Sequence, residues 1–299
     1  MQNKLEKSAI ICAVIPTHNR RDALSVILDR LYKQLLEGVK LHVVVVVDGS
    51  DDGTLEMLSS NYPDVLVVLG DGYWWYTKSI NEGIRYALTL APDYILALND
   101  DCIVDSDYIQ AIYNASRFVG SPCLVGSLCL SVNQPQIIFF SGVKKIFWPL
   151  YSWKYYHPLG TCSGILSERG LYPTVVLPGR GMLIPASAIK SVGYFDETFP
   201  QYGSDEDFSL RAAYAGIRSY ISYNAIVYSN IESSDKSSVF LRTVGLSNFI
   251  KSLFNIYSSN YLGKEIRFVL RHGFWWCFPV VLPKILASRI LNFLKRVKI

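Results

Sequence analysis

The sequence has no paired cysteine motif, no glycine-rich nucleotide fingerprint and little charge, and each shortage argues against a class of protein. Its six cysteines (Cys12, Cys102, Cys123, Cys129, Cys162 and Cys277) are scattered, mostly among apolar neighbours, without a C-x-x-C pair. That spacing fits a reducing compartment better than a disulfide framework or a zinc site. Neither G-x-G-x-x-G nor G-x-x-x-x-G-K-[ST] occurs, so neither a dinucleotide fingerprint nor a P-loop is supported. A net charge of +4 is too modest to argue for nucleic acid. No signal-peptide core precedes the first strand, and no stretch approaches the roughly 20 uncharged apolar residues of a membrane span. The expectation is a protein made and kept inside the cell. No internal repeat or low-complexity segment is visible.

Of the 299 residues, 50% are hydrophobic and 18% charged, which is apolar for a soluble enzyme and enough for one large domain with an extension. Ala9 to Ile15 and Leu41 to Val47 are continuous apolar, largely β-branched runs, the pattern of strands buried on both faces. Leu24, Ile27, Leu28, Leu31 and Leu35 recur at helical spacing between them. Helix at 54–58, strand at 65–69, helix at 80–90 and strand at 94–98 repeat the alternation. The pattern predicts an α/β fold with a parallel, doubly wound sheet and helices on both faces. After Leu124 the strands shorten, and aromatics crowd residues 139–156, including Trp148 and Trp153. A helix from 205 to 215 and a strand from 219 to 228 restore the order. The expected division is a catalytic domain over 1–240 and a C-terminal helical segment over 241–299.

Asn99-Asp100-Asp101 follows the apolar run 94–98. Consecutive acids at a strand's carboxyl end lie where open α/β sheets bind ligands. Their mutual repulsion is relieved by a hard cation such as Mg²⁺ or Mn²⁺, which often shares its shell with a substrate phosphate. A solvated turn with an Asx cap is the competing reading. The first strand ends in Pro16-Thr17-His18-Asn19-Arg20 and the second in Asp48-Gly49-Ser50, both at the edge where a nucleotide sits. Asp48 can accept hydrogen bonds from a base or ribose, or cap the next helix. After the third strand, Gly70 to Gly83 carries three glycines, the aromatics Tyr73, Trp74, Trp75 and Tyr76, and Lys78. Glycines admit close backbone approach, aromatics stack on a base or sugar, and Lys78 offsets diphosphate charge. Packing of the two tryptophans under a loop is the alternative. Ser204-Asp205-Glu206-Asp207 resembles a capping box, yet a cap needs only one of three acids. A carboxylate among other acids in a partly apolar cleft has a raised pKa and suits a general base.

The ordered set resembles an inverting family-2 glycosyltransferase with the GT-A fold. It comprises 14–20, Asp48-Gly49-Ser50, Asn81-Glu82-Gly83, Asn99-Asp100-Asp101, Gly179-Arg180-Gly181-Met182, 192–197 and 205–211. It spans roughly 9–230, and its double-tryptophan loop is most similar to the rhamnosyltransferase-like branch of bacterial surface-polysaccharide synthesis. The resemblance implies a divalent metal (Mg²⁺ or Mn²⁺) at Asp101, with Asn99 standing where the family has its first Asp. It implies a nucleoside diphosphate sugar donor, dTDP- or UDP-linked, at Pro16, Thr17, Asn19, Arg20, Asp48, Trp75, Lys78, Asn81 and Asp100. Asp205 matches the catalytic base, and Arg180, Gly181, Glu206 and Asp207 fall beside the reacting sugars. Many relatives carry a metal-binding His after the last strand, where this chain reads Val227-Tyr228-Ser229-Asn230-Ile231. The acceptor implied is a growing, lipid-linked cell-surface glycan. A non-catalytic module that binds nucleotide sugars or glycans through a degenerate site is the alternative.

From Lys264 onward eight Lys/Arg stand against Glu265 alone, interleaved with Phe274, Trp275 and Trp276. Leu282, Ile285, Leu286, Ile290, Phe293, Leu294 and Val297 fall on one helical face. This suits peripheral attachment to an anionic membrane on its cytoplasmic side. Packing on the catalytic domain or in a homodimer is the alternative.

Overall fold

A computed structural model describes residues 8–161, 167–229 and 245–297. Cys162 and Asn230-Ile231 lie outside the described residues. The chain runs β1 (Ala9–Thr17), α1 (Arg21–Tyr32), β2 (Val39–Asp48), α2 (Thr54–Asn61), β3 (Leu66–Gly70), α3 (Trp75–Leu88) and β4 (Tyr94–Ala97). Then come β5 (Cys102–Val104), α4 (Tyr108–Val119), β6 (Cys123–Ser131), β7 (Ile138–Phe140), β8 (Val143–Phe147), β9 (Ser152–Tyr155) and β10 (Leu171–Thr174). The rest is β11 (Met182–Pro185), α5 (Ala186–Val192), α6 (Ser204–Tyr214), β12 (Arg218–Ser229), α7 (Leu246–Phe254), α8 (Leu262–His272) and α9 (Phe278–Val297).

Ten strands form the main sheet, ordered β10-β12-β6-β11-β4-β1-β2-β3, with β5 on β12 and β7 on β6. β3, β2, β1 and β4 are mutually parallel, and β11 enters antiparallel between β4 and β6. β1 explains why the core has two sides. Ile11, Ala13 and Ile15 face the cluster containing Leu24, Leu28 and Ile112, whereas Cys12 and Val14 face Ile80, Ile84 and Phe208. Each such side chain, fully buried, contributes roughly 1.5–3 kcal/mol. The chain leaves β1 for β2 and β3 on one side and returns to β4 on the other. β1 and β4 therefore flank a topological switch point, where a crevice opens at the strands' carboxyl ends.

Three expectations change. α3 begins at Trp75, not near Ile80, so most of the aromatic loop is the helix's first turn. Leu35 lies past the end of α1 and is 67% exposed, so it adds nothing to that helix's buried face. The expectation of no membrane-length stretch also fails: residues 275–294 form one helical stretch long and apolar enough to cross a bilayer, with 11% of it buried. Its charges are only Lys284 and Arg289, and Pro283 sits inside α9. Phe268 of α8 packs among Trp148, Tyr151 and Trp153 at ring separations of 6.1–6.2 Å. The aromatic crowd of 139–156 is thus a packing surface for the C-terminal helices.

Candidate active site

At the switch point, Thr17 from β1 donates its hydroxyl to Asp100 Oδ2 at 2.9 Å. Arg20, just past the same strand, spans the acids: Nη1 is 3.3 Å from Asp100 Oδ1 and Nη2 is 3.5 Å from Asp101 Oδ2. Asp100 and Asp101 are 5% and 9% exposed. Burial pushes Asp100 up to about 6; Asp101 adds to the rise, while Arg20 opposes it. Asn99 Oδ1 is buried and accepts no hydrogen bond from the described residues. An inward, electron-rich oxygen beside two carboxylates suits a hard cation. Among the described residues no third His, Cys, Asp or Glu joins such a group, in keeping with Asn standing where an acid would complete it.

Both carboxylate oxygens of Asp48 are engaged by backbone N–H groups. Oδ1 accepts from Gly72 N–H at 2.7 Å, and Oδ2 accepts from Trp74 and Trp75 N–H at 2.9 and 3.1 Å. These are amino-terminal N–H groups of α3 and its approach, which a helix leaves unsatisfied. The alternative reading of a cap is the one observed, although the capped helix is α3. Asn81 is likewise occupied, donating to Phe195 O and Glu197 Oε1 at 2.9 Å and accepting from Phe195 N–H at 3.0 Å. Asn19, at φ 51°, accepts from Asp51 N–H at 2.8 Å and ties the first two loops together. Pro16 continues β1 opposite Val46. Trp75 and Lys78 line a different cleft, with Glu197 and Arg267.

The second acid group opens α6. Asp205 Oδ2 accepts from Gly179 N–H at 2.7 Å, and Oδ1 accepts from Glu206 N–H at 3.1 Å. A Cβ at Gly179 would stand 1.8 Å from the Tyr76 hydroxyl, so only glycine fits there. That hydroxyl is buried and unpartnered among the described residues; burial, then Asp205, raises its pKa well above the ordinary tyrosine range. Glu206 Oε2 is buried without a donor among the described residues. Burial first, then adjacent Asp205, pushes Glu206 well above the carboxylate range, with Lys264 of α8 opposing. Burial in turn lowers Lys264, against the pull of Glu265, which lies 3.8 Å away. Arg180 links the two groups: burial works against its charge, but Asp101 and, further down, Asp205 hold its pKa above the arginine range.

Asp207 corrects its expected place beside the sugars. It is fully buried and accepts from Arg211 Nε at 2.7 Å, Arg271 Nη1 at 2.8 Å and the His272 ring at 2.8 Å. These partners outweigh burial and lower it to about 2. Gly181 is also structural: a Cβ there would lie 2.5 Å from Ser127 Oγ and Tyr108 Oη. Nothing in the sequence marks Tyr76 and Lys264 for this place: one stands in a run of aromatics and the other opens a basic stretch.

The mostly parallel sheet, with helices on both faces and acids at strand and helix ends, has the GT-A architecture. Residues 12–123 match the family Glycosyl transferase family 2. It is similar to the low-salt glycan biosynthesis hexosyltransferase Agl10 of Haloferax volcanii, 26% identical over 170 residues, covering 56% of this chain and 52% of that protein. It is also similar to the N-acetylglucosaminyl-diphospho-decaprenol L-rhamnosyltransferase of Mycobacterium tuberculosis, 26% identical over 193 residues, 58% of this chain and 61% of that one. The chain thus spans between half and two-thirds of these relatives' length. Among solved structures it resembles S. aureus TarS 1-349 (TM-score 0.55, 15% identity, 95% of this chain and 88% of that chain). It also resembles GalNAc-T7 solved with UDP, GalNAc and Mn²⁺ (TM-score 0.61, 14% identity, 94% and 58%).

Proposed function

We propose that this protein is an inverting hexosyltransferase that moves a sugar from a nucleoside diphosphate donor to a hydroxyl of a lipid-linked cell-surface glycan. The rhamnosyltransferase among its relatives favours rhamnose on dTDP, with UDP-hexose as the other donor class. One observation carries the reading: the 179–181 turn touches both acid-bearing elements, Gly181 N–H donating to Ala97 O at the end of β4 at 2.9 Å and Gly179 N–H to Asp205 Oδ2 at 2.7 Å.

Thr17, Arg20 and Asp100 form the donor rim. Asp101 with Asn99 would hold a divalent cation, Mg²⁺ or Mn²⁺, whose contribution is to neutralise the leaving diphosphate. Arg20 and Arg180 add fixed positive charge where negative charge develops. Burial and the neighbouring carboxylate favour the protonated form of Glu206, which leaves Asp205 as the acid of the pair to accept a proton. It takes the proton of the acceptor hydroxyl as that oxygen bonds to the anomeric carbon and the carbon–phosphate oxygen bond breaks. Attack opposite the leaving group inverts the centre in one displacement.

The exposed Phe274, Trp275 and Trp276 and the outward Leu291 and Leu294 of α9 support attachment to the inner face of a membrane. Lying on the surface fits better than crossing. Lys284 Nζ donates to Leu150 O at 2.5 Å and Arg289 Nη2 to Glu265 Oε1 at 2.7 Å, which fastens α9 along the protein. On this reading 241–299 forms the membrane-seating part of the enzyme and 1–240 the catalytic part. Asp205→Asn should lose about 10³-fold in transfer while keeping nucleotide-dependent thermal stabilisation. Unchanged turnover in that variant would overturn the assignment of the base.

A further inference from the structure

The amino end of α3, the turn at 197–200 and the segment joining α7 to α8 enclose an open cleft of about 390 Å³. None of Thr17, Arg20, Asp100, Asp101 or Asp205 lines it. Trp75, on its wall, has a φ of 57°, a backbone state that bulky residues rarely keep without outside support. Two contacts supply that support: its N–H donates to Asp48 at 3.1 Å, and its ring stacks on Tyr257 at 3.9 Å and 11°. The stack fixes the C-terminal segment as the opposite wall.

The cleft has a definite chemistry. Lys78 Nζ sits 4.9 Å over the Trp74 ring, and the Arg267 guanidinium lies 5.6 Å over Phe199 while donating to Thr198 O. Glu197, the acid on the wall, is already engaged by Asn81 at 2.9 Å and Arg85 at 3.8 Å. The balance is cationic, on an aromatic surface suited to a sugar face. Ile256 on the rim is exposed, and it continues the exposed line Leu246, Ile250 and Phe254. Spaced four apart, those three share one face of α7.

We propose that this cleft seats the acceptor's diphosphate, with the sugar reaching past it towards Asp205 and the lipid chain lying on the apolar face of α7. Lys78 and Arg267 meet the diphosphate, the Trp74–Trp75 wall flanks it, and Thr77 ties the cleft's Pro200 to Ser204 beside Asp205. Lys78 and Trp75 are thereby moved from the donor to the acceptor. The inference rests on the glycosyltransferase reading above but occupies residues separate from the donor rim.

The test is titration of the full chain with farnesyl diphosphate, followed by tryptophan fluorescence and calorimetry, with and without saturating UDP and Mn²⁺. Binding should persist in the presence of UDP. It should weaken at least tenfold in Lys78→Gln/Arg267→Gln and in Phe254→Ala, a surface change that spares folding. Inorganic pyrophosphate and farnesol should each bind at least tenfold more weakly than the amphiphile. Competition with UDP, absence of binding, or indifference to all these variants overturns the proposal. Farnesyl diphosphate binding without any UDP binding supports the cleft and overturns the donor reading instead.

Discussion

Asn99-Asp100-Asp101 and Asp205-Glu206-Asp207 have similar compositions and are held in opposite ways. The first is gripped from the chain's beginning, by Thr17 and Arg20 at 2.9–3.5 Å. The second is gripped from its far end, by Arg271 and His272 on Asp207 and by Lys264 near Glu206. In the first, the amide oxygen of Asn99 is left for a ligand. In the second, Asp207 is a packed anchor, burial pushes Glu206 towards its neutral form, and Asp205 accepts from two backbone N–H groups. An acid's neighbours, more than its identity, decide its work.

The sharpest way to break this comparison is Asp205→Asn, with its thousandfold loss. Asp101→Asn should follow at about 10²-fold in transfer, and unlike Asp205→Asn it should abolish the metal dependence of nucleotide-induced thermal stabilisation. Asp207→Asn should act on stability: removing one partner of a buried charge group costs about 3 kcal/mol, read as a lower denaturant midpoint. Because Asp207 is lowered to about 2, its stabilisation is full above the unfolded value near 4 and is lost as pH falls through 2. Wild-type stability should therefore fall across that window more steeply than that of the Asn variant. Glu206→Gln should have the smallest effect, with turnover within about threefold, since Gln resembles the neutral acid. Glu206 is raised, so it costs stability as pH climbs above its unfolded value, and the Gln variant should flatten that decline.

The parallel half of the sheet was legible because strands buried on both faces must read as unbroken apolar runs, as 9–15 and 41–47 do. The acid motifs were legible as runs, because a cap or turn needs one acid and these stretches hold two and three. The jobs of Asp48, Asn81 and Asp207 were not, because each is set by partners 24 to 114 residues away. The early start of α3 was hidden for the same reason: its first turn depends on the distant Asp48 carboxylate. α9 escaped the membrane-length test because two charges interrupt its apolar run, and the structure ties both to the protein.

The clasp on Asp207 also bears on how the chain is made. Asp207 emerges from the ribosome well before Arg271 and His272, 64 and 65 residues later. Until then α6 has a buried carboxylate with only Arg211 to answer it. The amino-terminal strands can pair as they are synthesised, since their partners are near in sequence. The clasp on α6 must wait for the tail, so a nascent chain gains its first strand pairs before that anchor.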